Sequence, residues 1–274
     1  MAIPALELND GRRIPQLGLG VFQIPPQDTA RAVTSALEIG YRHIDTAAIY
    51  QNEAGVGEAI TGAGLPRGEL FVTTKLWNAE QGYDSTLAAF DASLKRLKLD
   101  DVDLYLIHWP CPQKGQFLAT WKALIRLRDE GRAKSIGVSN FRPQDLDLII
   151  GETGVVPAVN QIELHPYLQQ RQLRDYHAAK RIVTEAWSPL ARGGEILDDP
   201  VIAELAAQYG KTPAQVVLRW HIDHGLVIFP KSMHRERLQE NFALFDFRLE
   251  ASDLARIDGL ERGQRIGPDP STLN

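Results

Sequence analysis

Short, β-branched apolar runs alternate with amphipathic helical stretches from one end of this chain to the other, and that alternation confines it to a parallel α/β architecture. A hairpin comes first: Ala5–Leu8 and Arg13–Pro15 flank the turn residues Asn9, Asp10 and Gly11. Core strands are then predicted at Leu17–Val21, Tyr41–Asp45, Leu70–Lys75, Val102–His108, Ala133–Ser139, Ala158–Glu163, Arg181–Trp187 and Leu226–Pro230. Helical periodicity runs from Asp28 to Gly40, burying Ala30, Val33 and Leu37, and again near Glu53–Gly62. It continues through Leu87, Phe90, Leu94 and Leu97, and around Leu118–Glu130 with Leu118, Trp121 and Ile125 inward. Further helices are expected from Pro143, near Pro200–Tyr209, at the capping box Thr212–Gln215, from about Arg235 and from Ser252. Gly263–Asn274 is rich in Gly and Pro, has no periodicity and is expected to be an irregular tail.

Eight strand–helix units in 274 residues suit a (β/α)8 TIM barrel at about 34 residues per unit. A doubly wound dinucleotide fold would carry G-x-G-x-x-G after its first strand. The runs beginning at Gly18 and Gly55 both lack the last glycine, and no P-loop is present. No linker or composition shift divides the chain, so one barrel domain over residues 1–274 is expected.

Composition narrows the partners. A net charge of −5 without a basic block disfavours nucleic acid or an anionic membrane surface. Cys111 is the only cysteine, which excludes a disulfide framework and a Cys-rich metal site. The N-terminus lacks the basic start and apolar run of a signal peptide, and no stretch reaches the ~18 apolar residues of a membrane span. A cytoplasmic monomer acting on a small molecule is the expectation.

The chemistry-bearing residues fall at strand ends. Asp45, Lys75, His108, Ser139 with Asn140, Gln161 with Glu163, Trp187 and Lys231 close predicted strands two to eight, and should converge on the C-terminal mouth where barrels hold their active sites. Singly, Asp45 could cap a helix, Lys75 could be a solvated strand end and His108 a satisfied core histidine; together, in register, they argue for a site. Asp45 can hold Lys75 charged, and an ammonium beside Tyr50 is expected to lower the phenol's pKa from about 10 toward working pH. Tyr50 then becomes a proton donor, with His108 orienting a carbonyl oxygen. No Ser or Cys stands beside a base, so the grouping suits protonation of an oxyanion formed by hydride addition. Ser139, Asn140 and Gln161 could hold a carboxamide and Trp187 could stack on a flat ring. Lys231, Ser232 and Arg237 lie beside a helix N-terminus and could take a phosphate, or form a solvated helix start. A Schiff-base aldolase using Lys75 or Lys231, a metal hydrolase using His43, His108 and His165, and a non-catalytic nucleotide sensor rank below hydride reduction of a carbonyl.

Gly40-Tyr-Arg-His-Ile-Asp45-Thr-Ala, followed by Tyr50, Asn52, Glu53, Val56 and Gly57, resembles the aldo-keto reductase signature. The segments from Val155 to Pro166 and from Phe229 to Asn241 resemble two further blocks of that family, and the likeness runs to about Phe247. In appearance it is closest to bacterial reductases of the 2,5-diketo-D-gluconic acid type. The resemblance implies a catalytic tetrad of Asp45, Tyr50, Lys75 and His108, with Tyr50 the general acid and no metal. It implies NADPH as cofactor, its carboxamide held by Ser139, Asn140 and Gln161 and its ring stacked on Trp187, with Ser188 and Leu190 as further contacts. Lys231, Ser232 and Arg237 would meet the 2′-phosphate, and Glu240 and Asn241 the adenine. Phe22, Trp77 and Trp109 would wall a substrate pocket suited to aldehydes, ketones and small dicarbonyls. His234 departs from the Thr or Arg common in relatives, and the loop from Cys111 to about Gly115 is short.

Overall fold

A computed structural model describes residues 3–274; Met1 and Ala2, the start of the N-terminal segment considered above, lie outside the described residues. The hairpin is β1 (Ala5–Glu7) against β2 (Arg13–Pro15). The barrel strands are β3 (Leu19–Gly20), β4 (His43–Asp45), β5 (Phe71–Leu76), β6 (Val102–Ile107), β7 (Ala133–Ser139), β8 (Val159–Glu163), β9 (Val183–Trp187) and β10 (Val227–Ile228). Each pairs in parallel with the next. A parallel bridge between Leu17 and Ile228 closes the circle, with Gly18 N donating to Ile228 O at 2.9 Å and Ile228 N to Gln16 O at 2.9 Å. The (β/α)8 expectation holds. The first and last barrel strands are shorter than the sequence implied, because that seam is held by isolated bonds rather than by a continuous ladder.

The hairpin plugs the N-terminal end. Leu8 and Ile14 join Phe71, Leu104, Leu106, Val159, Val227 and Phe229 in one buried cluster. Each such side chain contributes about 1.5–3 kcal/mol on leaving water. The turn is tied down by polar bonds from Ser135 Oγ to Asp10 Oδ2 at 2.6 Å and from Asn9 Nδ2 to Pro157 O at 2.9 Å. Gly137 on β7 is required by this packing, since a Cβ there would lie 2.7 Å from Val159 Cγ2 and 2.8 Å from Val159 O. With one end sealed, the opening lies at the C-terminal ends of the strands.

Ten helices surround the barrel among the described residues: Pro26–Ile39, Glu53–Gly62, Tyr83–Leu97, Phe117–Asp129, Pro143–Thr153, Arg171–Lys180, Pro200–Tyr209, Pro213–Asp223, Arg235–Phe242 and Ala251–Asp258. The first begins two residues before the expected Asp28, because Pro26 supplies a preset φ where no N–H is needed. The fourth buries Phe117, Trp121, Leu124 and Leu127, a face slightly offset from Leu118, Trp121 and Ile125. Arg171–Lys180 had no specific expectation; only His177 of its residues is buried, so its apolar signal is faint. None of these helices is long and apolar enough to cross a membrane.

Candidate active site

Strand parity delivers the site. Asp45 and Gln161 stand on β4 and β8, on opposite sides of the barrel, yet Gln161 Nε2 donates to Asp45 Oδ2 at 2.9 Å, so both side chains point into the interior. Lys75 on β5 enters the same space, placing Nζ 2.6 Å from Asp45 Oδ1 and 3.0 Å from Thr46 O. Lys75 has no exposed surface and Asp45 has 4%, so the pair is desolvated. Burial disfavours the ammonium, but Asp45, Tyr50 and Glu185 together outweigh it and hold the Lys75 pKa above its ordinary value. Lys75 stays charged.

Tyr50 ends the short 3-10 turn Ala48–Tyr50 that follows β4. Thr46 Oγ donates to Asn52 Oδ1 at 2.9 Å, and Asn52 Nδ2 donates to Val21 O at 2.8 Å, which fixes that turn to the barrel rim. The Tyr50 ring lies 5.3 Å from Lys75 Nζ, 5.7 Å from the His108 ring and 5.0 Å from Phe22. The expectation that Lys75 brings the phenol toward working pH is corrected here. Desolvation is the largest influence and raises the Tyr50 pKa; Lys75 opposes it by charge and hydrogen bond, and the Asp45 charge adds to the rise, so the net shift is upward. The hydroxyl therefore keeps its proton across neutral pH. His108 is the converse case, its pKa held well below the usual range by burial and by the Lys75 charge. Its neutral ring packs edge-on to Tyr50 and Trp77, and Nδ1 has no partner among the described residues.

Beside this group, Ser139 Oγ donates to Gln161 O at 2.8 Å, and Asn140 Nδ2 to His108 O and Ser139 Oγ, both at 3.0 Å. Trp187 Nε1 donates to Asn140 Oδ1 at 2.8 Å, which sets the half-buried indole at the mouth. Ser188 and Leu190 follow it, partly exposed. Trp109 is buried edge-on to Trp187 with ring centroids 6.4 Å apart, while Phe22 is 49% exposed on the rim.

The basic cluster forms a separate patch after β10. Ser232 is buried, and its Oγ accepts from His234 N at 3.1 Å before the helix Arg235–Phe242. Arg235 is paired with Glu38, whereas Lys231 and Arg237 are exposed. Glu240 accepts from Thr212 Oγ at 2.6 Å, and Asn241 is buried. Of the histidines weighed for a metal, His43 and His165 are engaged elsewhere. His43 bonds Thr73 Oγ and Pro15 O, and His165 Nε2 lies 3.2 Å from Glu163.

Two features escaped the sequence reading. Glu185 on β9 is fully buried beside Gln161, and its inward parity in an apolar strand was the available signal. The tail is the other. Ile266 N and Gly267 N donate to the Glu163 carboxylate at 2.6 and 3.0 Å, and Arg265 lies 3.5 Å away. These donors and His165 outweigh burial and hold the Glu163 pKa low. A Cβ on Gly267 would sit 2.4 Å from Trp187 Cη2, so the tail lies against the indole edge. Asn274 Oδ1 then accepts from Gln113 N at 2.8 Å in the loop after Trp109.

A protonated phenol, a neutral imidazole and a locked ammonium at a barrel mouth are equipped to give a proton to oxygen, which is the protein's share of a carbonyl reduction. That describes a barrel oxidoreductase. The chain belongs to the aldo-keto reductase family: the Aldo/keto reductase family model matches residues 16–262. It is 59% identical over 271 residues to an aldo-keto reductase of Mycolicibacterium smegmatis, covering 99% of this chain and 98% of the relative. It is 52% identical over 272 residues to the methylglyoxal reductase DkgA of Escherichia coli K12, covering 98% of each. Among solved structures, a single-residue mutant of Gox0644 in complex with NADPH superposes with a TM-score of 0.96 at 49% identity, covering all of both chains.

Proposed function

We propose that this oxidoreductase reduces small aldehydes, ketones and dicarbonyls, methylglyoxal among them, to alcohols with NADPH, and that Tyr50 is the general acid. The observation that carries the reading is the Tyr50 phenol, kept protonated by burial and packed against both Lys75 and the neutral ring of His108. The names of the relatives and the NADPH-bound neighbour support it from outside the chain.

The residues present fit the cofactor. Trp187 offers a half-exposed indole, Gln161 has committed its amide nitrogen and leaves Oε1 as an acceptor, and Ser139 and Asn140 flank it. Lys231 and Arg237, exposed beside a helix N-terminus with the Ser232 hydroxyl, match the charge of a phosphate. Ser188, Leu190, Glu240 and Asn241 complete the expected cofactor contacts. NADPH, when bound, supplies the hydride.

The chain's own part begins with the substrate oxygen, which accepts from the Tyr50 hydroxyl and the His108 ring. As negative charge grows on that oxygen, Tyr50 gives up its proton. Lys75 stabilises the phenolate left behind, and Asp45 keeps Lys75 charged and in place. Raising the phenol's pKa by burial and opposing it with an ammonium keeps the donor loaded yet able to discharge. Phe22, Trp77 and Trp109 wall an apolar cleft that excludes water from the oxygen, and its short loop favours small dicarbonyls and polar sugar-like ketones over steroids. NADPH consumption measured against methylglyoxal, sugar ketones, aromatic aldehydes and a steroid ketone tests this. A small dicarbonyl should give the highest kcat/KM; no turnover with any carbonyl removes the reading.

A further inference from the structure

Glu185 is a carboxyl in the barrel interior that the mechanism above leaves without a task. It sits on β9 with no exposed surface, two residues before Trp187 and at the same inward parity, opposite Gln161 in the β8–β9 register. Gln161 Nε2 donates to Glu185 Oε2 at 2.8 Å and to Asp45 Oδ2 at 2.9 Å, while Asp45 Oδ1 lies 2.6 Å from Lys75 Nζ. The four side chains form one hydrogen-bonded line from β9 to β5 across the interior.

An amide nitrogen has two hydrogens, and here each faces a carboxyl group. Turning the Gln161 amide over would set its carbonyl oxygen against the Asp45 carboxylate, oxygen against oxygen, in a buried site. With Nε2 pinned from both sides, Oε1 is left as the acceptor available to a ligand. Asp45 alone holds one hydrogen and leaves the other buried and unpaired. Glu185 supplies the second anchor. Burial, and after it the Asp45 charge close by, keep the Glu185 pKa up at about 8, so the group can serve at neutral pH as an uncharged acceptor.

We propose that Glu185 is a positioning residue for the cofactor: it locks the Gln161 amide with Oε1 toward the barrel mouth, ready to accept from the carboxamide N–H of a nicotinamide. This rests on the NADPH reading given above. It makes Glu185 act through Gln161, so its loss should be felt in cofactor affinity and not in carbonyl recognition.

The test is a double-mutant cycle read by NADPH quenching of tryptophan fluorescence, with steady-state kinetics alongside. Glu185→Met keeps the side chain's length and removes the acceptor; Glu185→Gln restores an acceptor oxygen. The methionine variant should raise the NADPH Kd about tenfold, the worth of one buried hydrogen bond, and leave the carbonyl KM at saturating NADPH within about twofold. Glu185→Gln should return the Kd to within about threefold of the parent. In a Gln161→Ala background, Glu185→Met should change the Kd no further. An unchanged Kd in a folded Glu185→Met protein overturns the proposal, as does an equal loss in the Gln161→Ala background. If the methionine variant does not fold, Glu185→Leu takes its place with the same expected and overturning outcomes. Failure of the parent protein to bind NADPH is a different result, and removes the cofactor reading itself.

Discussion

Replacing Lys75 by Met isolates the ion pair on which the site depends. Methionine fills most of the space of the lysine stem, so the packing loss is small, and the change is chiefly electrostatic. It leaves Asp45 4% exposed with its 2.6 Å partner gone and Gln161 Nε2 as the remaining side-chain donor. Breaking a buried pair from one side costs about 3–5 kcal/mol, because the surviving charge has neither water nor a counter-ion. Urea unfolding of parent and variant measures it. A loss under about 1 kcal/mol would refute the claim that Asp45 and Lys75 form a buried, mutually dependent ion pair.

Other consequences are open to measurement. His43, His177 and His221 are buried with pKa values lowered to about 3, 4 and 3, chiefly by desolvation, so the unfolded chain binds more protons below pH 6.5 and stability falls with falling pH. Glu185, raised to about 8, opposes them by about one proton and His108, lowered like them, adds about one, leaving a net slope of roughly 3 kcal/mol per pH unit between pH 6 and 5; urea titrations showing no fall across that interval would contradict this. Arg237→Ala should weaken NADPH binding about ten- to hundredfold and barely alter NADH, since only the 2′-phosphate separates the two; equal losses would assign Arg237 to the shared adenosine. Glu163→Gln weakens the anchor for Ile266, Gly267 and Arg265, and should raise the rate of protease cleavage within residues 263–274 while the barrel stays intact; an unchanged rate would show the tail is held by other contacts.

Much of this architecture was legible because short apolar runs alternate with helical repeats along the chain. The helical repeat placed the outer layer, and the ends of the apolar runs put Asp45, Lys75, His108, Ser139, Gln161 and Trp187 around one mouth, where the structure has them. What the pattern missed is what depends on contacts between distant segments. β3 and β10 shrink to two residues each because closure at Leu17 and Ile228 is a tertiary event. The helix Arg171–Lys180 buries too little apolar surface to leave a clear repeat. The tail follows a carboxylate on β8 and its own backbone amides, which no local pattern encodes. The sign of the Tyr50 shift depends on tertiary structure in the same way: the sequence shows the nearby lysine but not the desolvation that outweighs it.

The central claim is that the Tyr50 hydroxyl gives the proton while ring, fold and cofactor site remain independent of it. Single-turnover NADPH oxidation by Tyr50→Phe, with methylglyoxal as substrate and the NADPH Kd measured on the same protein, tests it most directly. The Kd should stay within about twofold, while the oxidation rate falls by ~10²–10⁴. A variant that binds NADPH normally and turns over near the parent rate would contradict the account.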